Sequence, residues 1–156
     1  MKGLQKIIDV LNGVLSDELT AISQYMVHSE MCDNWGYARL HAAVEKRAIV
    51  EMKHAEKLIA RIIFLEGIPV VSELKKMSIG EDVEKQLKND LKAEYGAVKA
   101  YNAAVKVAAE LVDNGTRELL ESILKDEEDH ADWIEAQLDQ ISQMGLAHYL
   151  AEQTKE

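Results

Sequence analysis

Apolar residues recur at steps of three and four through four long segments of this 156-residue chain, which is the spacing of one face of an α-helix. The segments with their ends are Leu4 to Asn34-Trp35-Gly36, Leu40 to Gly67 with Pro69 beyond it, Val83 to Asp113-Asn114-Gly115, Leu120 to Met144-Gly145, and a shorter fifth at about 146–153. The pattern predicts an all-α fold, with a four-helix bundle over about residues 4–144 and a short fifth helix after it.

The connections between the predicted helices set their directions. Very short breaks join the first helix to the second and the third to the fourth, so each pair is predicted to form an antiparallel hairpin. The stretch 67–80 has fourteen residues and spans up to ~46 Å when extended at ~3.3 Å per residue. A helix of roughly 29 residues is ~43 Å long. We therefore predict one domain, 1–156, with a long crossover that makes the second and third helices parallel.

Composition supports this fold and narrows the partners. One proline, eight glycines and few aromatic residues favour helices over sheets. A net charge of −10 argues against nucleic acid as a partner, because phosphate binding needs a basic surface. Neither a signal-peptide core nor a membrane-spanning run is visible, so we expect a cytoplasmic protein that does not enter a membrane. The single cysteine, Cys32, is predicted to be a reduced, partly buried thiol.

Six polar residues interrupt the apolar stripes near the middle of the four helices. They are Glu18, Glu51, His54, Glu94, Glu127 and His130. Four carboxylates in an apolar core are costly unless they are paired, and Arg47 is the one basic residue near these stripes. Two divalent cations would supply about the positive charge that the carboxylates lack. The sequence therefore predicts that these six side chains ligate two metal ions.

Spacing strengthens this prediction. The second and fourth helices each carry Glu-x-x-His, whose two side chains are neighbours on a helix and can hold one ion. A constant offset of 76 residues relates Glu18 to Glu94, Glu51 to Glu127, His54 to His130 and Tyr25 to Tyr101. The chain is thus predicted to be two related hairpins with a symmetric site between them. Four carboxylates and two imidazoles favour iron or manganese over structural zinc or copper, and two irons can each give one electron to O₂ or peroxide.

Other functions are either excluded or left open by the motifs. A zinc-protease helix needs His-Glu-x-x-His, but Val50 precedes Glu51 and Asp126 precedes Glu127. The chain has no phosphate-binding glycine loop and no cysteine pair for a rubredoxin-type iron centre. A di-iron oxidase or peroxide reductase that stores no iron stays open, since it would use the same six ligands. A metal-free helical interaction module also stays open; for it, Glu94→Ala would stabilise the fold without changing iron behaviour.

Along nearly its whole length the chain resembles the bacterioferritin family. The resemblance lies in Met1-Lys2-Gly3, Glu18-Leu19, Gln24-Tyr25, Asn34-Trp35-Gly36, Glu51-Met52-Lys53-His54-Ala55, Phe64-Leu65-Glu66-Gly67, Ile79-Gly80-Glu81 and Asp126-Glu127-Glu128 with His130. It implies a ferroxidase that oxidises Fe(II) with O₂ or H₂O₂ at the six predicted ligands, with Glu51 and Glu127 bridging the irons. It also implies iron storage and detoxification in a shell of twenty-four subunits, with the fifth helix around the four-fold axis and a small ferredoxin-type electron donor.

The same resemblance implies a haem site and shows two departures. Met52 would ligate a b-type haem that two subunits share across a two-fold interface. Residues of the first helix would line its pocket: Leu19, Ile22, Ser23 and Met26. Some family members have a His and an Asp at positions 46 and 50 as an inner-surface iron site, but this chain has Lys46 and Val50. Tyr25 and Trp133 match aromatic residues near the family's di-iron site, where they serve either as electron donors or as packing.

Overall fold

The computed structural model describes residues 1–156 and consists of five helices without strands. The helices are α1 (Gln5–Asn34), α2 (Ala38–Phe64), α3 (Val83–Glu110), α4 (Asn114–Met144) and α5 (Leu146–Gln153). The predicted all-α fold, with four long helices and a short fifth one, is confirmed. None of the helices is both long and apolar enough to cross a membrane.

The helix ends differ slightly from the predicted ones. The third helix ends at Glu110 and not at Val112, because Val112 adopts a left-handed φ of 58°. The fourth helix begins earlier than predicted, at Asn114, because the Asp113 side chain accepts a hydrogen bond from the backbone N–H of Thr116 and so caps the helix. Asp82 caps α3 in the same way by accepting from the N–H of Lys85. The crossover is therefore longer than predicted and comprises residues 65–82.

Contacts between the helices fix their directions. Residues 35–37 join α1 to α2, and residues 111–113 join α3 to α4, so both pairs are antiparallel hairpins. The Tyr101 hydroxyl of α3 donates to Glu18 of α1, and Gln24, further along α1, donates to Asp90, earlier in α3. Since α1 is thus antiparallel to both α2 and α3, α2 and α3 are parallel, as the length of the crossover predicted.

A row of polar side chains on α1 holds the crossover against the bundle. One polar residue in every four along α1 hydrogen-bonds the crossover backbone: Asn12 to Ile68 and Val70, Ser16 to Glu73, Thr20 to Lys75, Gln24 to Ser78, and His28 to Gly80. These bonds satisfy backbone groups that have no secondary structure of their own. A Cβ at Gly80 would lie 2.3 Å from the Gln86 backbone nitrogen, so only glycine permits this close approach.

Two apolar clusters lie on either side of the middle of the bundle. The larger cluster includes Leu11, Leu58, Ile62 and Leu120. The other includes Cys32, Leu40, Leu87, Ile134 and Tyr149. Tyr149 brings α5 onto the bundle, and its hydroxyl donates to Gln137 at 2.8 Å. Cys32 is more buried than the partly buried thiol that was predicted, and burial raises its pKa to about 11. The polar centre lies between these two clusters.

Candidate metal centre

The structure brings all six predicted metal ligands together in the middle of the bundle. Five of them are almost completely buried, and the sixth, His130, has a side chain only 10% exposed. Their ligating atoms form two groups, within each of which the atoms lie no more than 4.8 Å apart. Subsite A consists of Glu18, Glu51, His54 and Glu127, and subsite B consists of Glu51, Glu94 and His130. Glu51 belongs to both groups, so this geometry can present two ions to one shared carboxylate.

Two buried tyrosines display the internal repeat in three dimensions. The Tyr25 hydroxyl donates to Glu94, and the Tyr101 hydroxyl donates to Glu18. Each tyrosine therefore holds the carboxylate of the other half of the chain, and the offset of 76 residues exchanges the two pairs. Burial and the nearby carboxylates raise the pKa of both tyrosines well above the usual range, so both remain neutral hydrogen-bond donors.

Arg47 corrects the sequence-based view that the four carboxylates lack a counter-charge. Its Nε lies 2.6 Å from Glu51 Oε1, and its Nη2 lies 3.0 Å from Glu127 Oε2 and 3.9 Å from Glu94 Oε2. The Arg47 side chain is only 12% exposed. Glu51 lies one helical turn after Arg47 on α2, so this contact is expected for residues at i and i+4 of a helix. The contacts with Glu127 and Glu94 depend on how α2 packs against the other helices.

Asp126 is a further residue that the ligand prediction did not include. His54 directs Nδ1 towards Glu127 Oε1 at 3.0 Å and Glu51 Oε2 at 3.1 Å, while its Nε2 lies 2.9 Å from Asp126 Oδ2. A carboxylate on the outer nitrogen of a ligating histidine fixes the ring and makes it more basic. Subtracting the repeat offset of 76 from position 126 leads to Val50, so the second histidine has no matching carboxylate there.

His130 occupies different surroundings. Its Nδ1 lies 2.7 Å from Glu94 Oε1, its ring stacks on Trp133 at 6.1 Å between centroids, and Tyr25 contacts it edge-on at 5.6 Å. Burial, reinforced by the charge of Arg47, lowers the pKa of His130 to about 3. A neutral imidazole has a free nitrogen lone pair, which is the form that binds a metal.

The carboxyl groups divide into two electrostatic types. Burial raises the pKa of Glu18 and Glu94 well above the usual range. Burial acts the same way on Glu51, but hydrogen bonds from its neighbours and the charge of Arg47 outweigh it and lower its pKa. Burial disfavours the charged form of His54, but hydrogen bonds to the carboxylates outweigh this effect and raise its pKa to about 12. Arg47 and the raised pKa values of Glu18, Glu94 and His54 thus offset the negative charge of this cluster, and arriving cations would compete with the guanidinium and with protons.

The donor set fits iron. Two buried carboxylate oxygens, Glu94 Oε2 and Glu127 Oε1, accept no hydrogen bond of good geometry, although such oxygens normally have a partner. Carboxylate oxygens with two imidazoles suit hard, redox-active divalent ions. A cavity of about 330 Å³ lies against the four glutamates and reaches Lys75 and Lys76 of the crossover.

The structure also places the residues predicted for other roles. Met52 lies on the outside of α2 and is 42% exposed, although Glu51 beside it is buried. Lys46 is exposed and Val50 is partly buried on the same helix. A third group that could hold a cation, formed by Glu30, His41 and Glu45, lies at the surface near the α1–α2 turn; the sequence reading did not single it out.

The helical bundle and its carboxylate–imidazole centre are those of the ferritin-like class, and the family model described as Ferritin-like domain matches residues 8–144. The chain is 42% identical to the bacterioferritin of Rhodobacter capsulatus over 145 residues, which cover 93% of this chain and 90% of that protein. It is 40% identical to the bacterioferritin of Brucella melitensis biotype 1 over 149 residues, 96% of this chain and 92% of that one. A similar protein in Mycolicibacterium paratuberculosis, also called bacterioferritin, is 37% identical over 152 residues, 97% and 96% of the two chains. The chain therefore belongs to the bacterioferritin family, and the resemblance read from its motifs is confirmed.

Proposed function

We propose that the chain stores and detoxifies iron, and that Glu18, Glu51, His54, Glu94, Glu127 and His130 form a ferroxidase centre that oxidises Fe(II) to Fe(III). The observation that carries this proposal is the convergence of these side chains from four helices into two ligand groups that share Glu51. Membership of a family of iron-storage proteins supports the same function.

The proposed reaction uses iron as its substrate. Two Fe(II) ions each give up one electron, which together with two protons reduce O₂ to H₂O₂; with H₂O₂ as oxidant, the same two electrons and two protons give water. Glu51 and Glu127 are the proposed bridging carboxylates, since both approach His54 of subsite A while Arg47 joins them to Glu94 of subsite B. The tyrosines orient Glu18 and Glu94 by hydrogen bonds, which holds the two terminal carboxylates in place as iron arrives and leaves.

We infer that Fe(II) and the oxidant reach the centre through the cavity between α1, α3 and the crossover. Its inner end is formed by the four glutamates, and its outer end includes Asp17, Lys75 and Lys76. Small residues of α3 leave the space open: Ala93, Gly96, Ala97 and Ala100. Lys75 is held by Asp17 through an ion pair and by a backbone hydrogen bond to Thr20.

The ferroxidase proposal is tested by comparing Glu127→Ala with Glu128→Ala. Both substitutions remove one carboxylate from α4, but Glu127 is buried in the centre and Glu128 is exposed. With two Fe(II) per chain in air, the initial rise in ferric absorbance should slow at least tenfold in Glu127→Ala and stay unchanged in Glu128→Ala. Equal rates in Glu127→Ala and the unsubstituted protein would refute a centre built on this carboxylate.

We further propose that Met52 would hold a b-type haem, with one methionine thioether supplied by each of two subunits. The thioether is exposed, and Ile49, one turn earlier on the same face of α2, is 48% exposed, so the surface around Met52 fits an apolar macrocycle. Haem would supply a one-electron redox group there. Met52→Leu should abolish the haem absorption band of the purified protein, whereas Met144→Leu, at a methionine of equal exposure, should retain it. Haem retained at full occupancy in Met52→Leu would refute this ligand.

The assembly and its electron supply complete the proposal. We propose a shell of twenty-four copies, with α5 at the four-fold axes and a small ferredoxin-type protein as the electron donor for iron release. In support, Tyr149 fixes α5 on the end of the bundle, while Leu146 of the same helix keeps a 38% exposed side chain that is free to contact other copies. Deleting residues 146–156 should leave a folded bundle that elutes at a smaller size; elution at the full size would refute the role of α5.

A further inference from the structure

We propose that the two metal subsites are unequal, because Arg47 acts as an internal cation at subsite B that the second metal ion must displace. Subsite A would then fill first, and subsite B would fill only as the guanidinium leaves its carboxylates. This inference rests on the proposed two-metal centre and adds an order of loading and a residue that controls it.

Arg47 contacts both proposed bridging carboxylates, Glu51 and Glu127, and of the two terminal carboxylates it approaches only Glu94 of subsite B. The guanidinium contacts Glu51 and Glu127 at 2.6 and 3.0 Å and approaches Glu94 at 3.9 Å, and its Nη1 donates to the Asp126 backbone carbonyl at 3.2 Å. Glu18, the terminal carboxylate of subsite A, is not among the partners of Arg47, whereas Glu94, the terminal carboxylate of subsite B, is. A guanidinium that shares Glu51 with the cation of subsite B competes with that cation for the same oxygen atoms and the same charge.

The internal repeat shows that this cation has no counterpart in the other half of the site. The position 76 residues after Arg47 is Ile123, which is completely buried in the apolar core. The pseudo-symmetry that pairs the six ligands and the two tyrosines is therefore broken by a full positive charge. The Arg47 guanidinium therefore opposes metal binding through contacts that have no equivalent at Ile123 in the other half of the chain.

A second break in the symmetry favours subsite A independently. His54 of subsite A is supported by Asp126 at 2.9 Å, whereas the repeat position that could support His130 of subsite B is Val50. Loss of such an outer carboxylate costs metal sites roughly 10–100-fold in affinity. Both breaks therefore act in the same direction: Asp126 orients His54 of subsite A, and Arg47 opposes a cation beside Glu94 of subsite B.

The shared carboxylates would couple the two binding events. A cation in subsite A binds Glu51 and Glu127, which are the two carboxylates closest to Arg47. It would weaken their hold on the guanidinium, so filling subsite A makes the displacement of Arg47 easier. The result is ordered loading, in which the pair of irons needed for a two-electron reaction is completed last at subsite B.

The test is an anaerobic titration with Co(II), a redox-stable probe whose visible absorption reports its coordination. The unsubstituted protein should bind two Co(II) per chain in unequal steps. Arg47→Gln should tighten the second step by roughly tenfold or more, as loss of a competing charged hydrogen bond predicts, and change the first step less. Lys46→Gln removes the same charge from an exposed neighbour on α2 and should change neither step. Asp126→Asn should weaken the first step selectively.

The outcomes separate this inference from the proposed centre. A second step that is unchanged or weaker in Arg47→Gln would overturn the inference, because Arg47 would then not compete with the metal. Fewer than two Co(II) per chain in the unsubstituted protein would instead refute the two-metal centre itself. If Arg47→Gln does not fold, Arg47→Lys takes its place: it keeps the charge but loses the forked contact, and its second step should tighten by a smaller factor, while an unchanged step would again overturn the inference.

Discussion

Replacing Glu51 or Glu94 by glutamine should affect the metal-free fold in opposite ways, although both are buried carboxylates in one cluster. Each substitution keeps the size of the side chain and removes its charge. The two residues differ in their partners: Glu51 accepts from the Arg47 Nε at 2.6 Å, whereas Glu94 accepts from the neutral Tyr25 hydroxyl and lies 3.9 Å from Arg47. Stability of the metal-free protein therefore reports whether folding favours or disfavours the ionised form of each carboxyl group.

The Glu51→Gln substitution removes one partner of a buried ion pair. Loss of one partner in such a pair costs about 3–5 kcal/mol, and we expect the lower end, about 3 kcal/mol, because Glu127 and Glu94 remain beside the guanidinium. For a chain of this size that corresponds to a drop in Tm of roughly 6–12 °C. Because folding lowers the pKa of Glu51, ionised Glu51 stabilises the protein at pH values above the pKa that it has in the unfolded chain. This stabilisation is lost as pH falls through the lower pKa of the folded protein.

The Glu94→Gln substitution should leave the metal-free fold as stable or slightly more stable. Folding raises the pKa of Glu94, so its ionisation costs the folded state free energy at pH values above the unfolded pKa. Glutamine removes that cost and still accepts from Tyr25, so the expected change is a gain of no more than about 1 kcal/mol. Iron oxidation should nevertheless fall in both variants, because each loses a proposed ligand of subsite B.

Thermal unfolding of the chelator-treated proteins at pH 7, followed by circular dichroism, measures both shifts against the unsubstituted protein. A loss of stability in Glu94→Gln equal to that in Glu51→Gln would refute the division into a carboxyl group whose pKa is raised by folding and one whose pKa is lowered. Stabilised Glu94→Gln with unchanged iron oxidation would instead support a helical module without a metal centre. The predicted combination is unchanged or higher stability together with slower oxidation.

Three further changes test other parts of the structure. Asp113→Ala should cost about 1 kcal/mol in urea unfolding at pH 7, as loss of a helix N-cap does; because the pKa of Asp113 is lowered, the cost should vanish as pH falls through that lowered value. Gly80→Ala should destabilise the protein by about 1–3 kcal/mol through overpacking against the Gln86 backbone, and hydrogen exchange of the crossover amides should become faster. Gly13→Ala, whose Cβ would lie in open space, should show neither change. Binding of Zn(II) in weak buffer should release protons, since Glu18 and Glu94 have raised pKa values, and affinity should fall as pH falls. Binding without proton release would contradict these raised pKa values.

The sequence predicted those features that depend on spacing along the chain. Helix periodicity located all five helices, and the length of the crossover was enough to predict that α2 and α3 are parallel. Polar residues at core positions, together with the offset of 76, identified six side chains that the fold indeed brings together. These inferences succeed because a helix converts position in sequence directly into direction in space.

Features that depend on side-chain reach were not predicted. Arg47 was noted near the stripes, but whether its long side chain turns towards solvent or towards Glu127 of another helix depends on packing. The row of polar residues on α1 reads as an ordinary solvated face, since the crossover that covers it has no periodicity of its own. Asp126 lies directly before Glu127, and the 76-residue repeat pairs it with Val50. This difference between the two halves is visible in the sequence, so Asp126 could have been found there.

Aerobic addition of several hundred Fe(II) per assembly, followed by separation by size, tests the central claim most directly. The proposal predicts rapid formation of ferric iron that stays soluble and co-elutes with protein as a particle of several hundred kDa. Binding of only about two irons per chain, with the excess precipitating away from the protein, would contradict storage and would identify a di-iron oxidase or peroxide reductase with the same ligands.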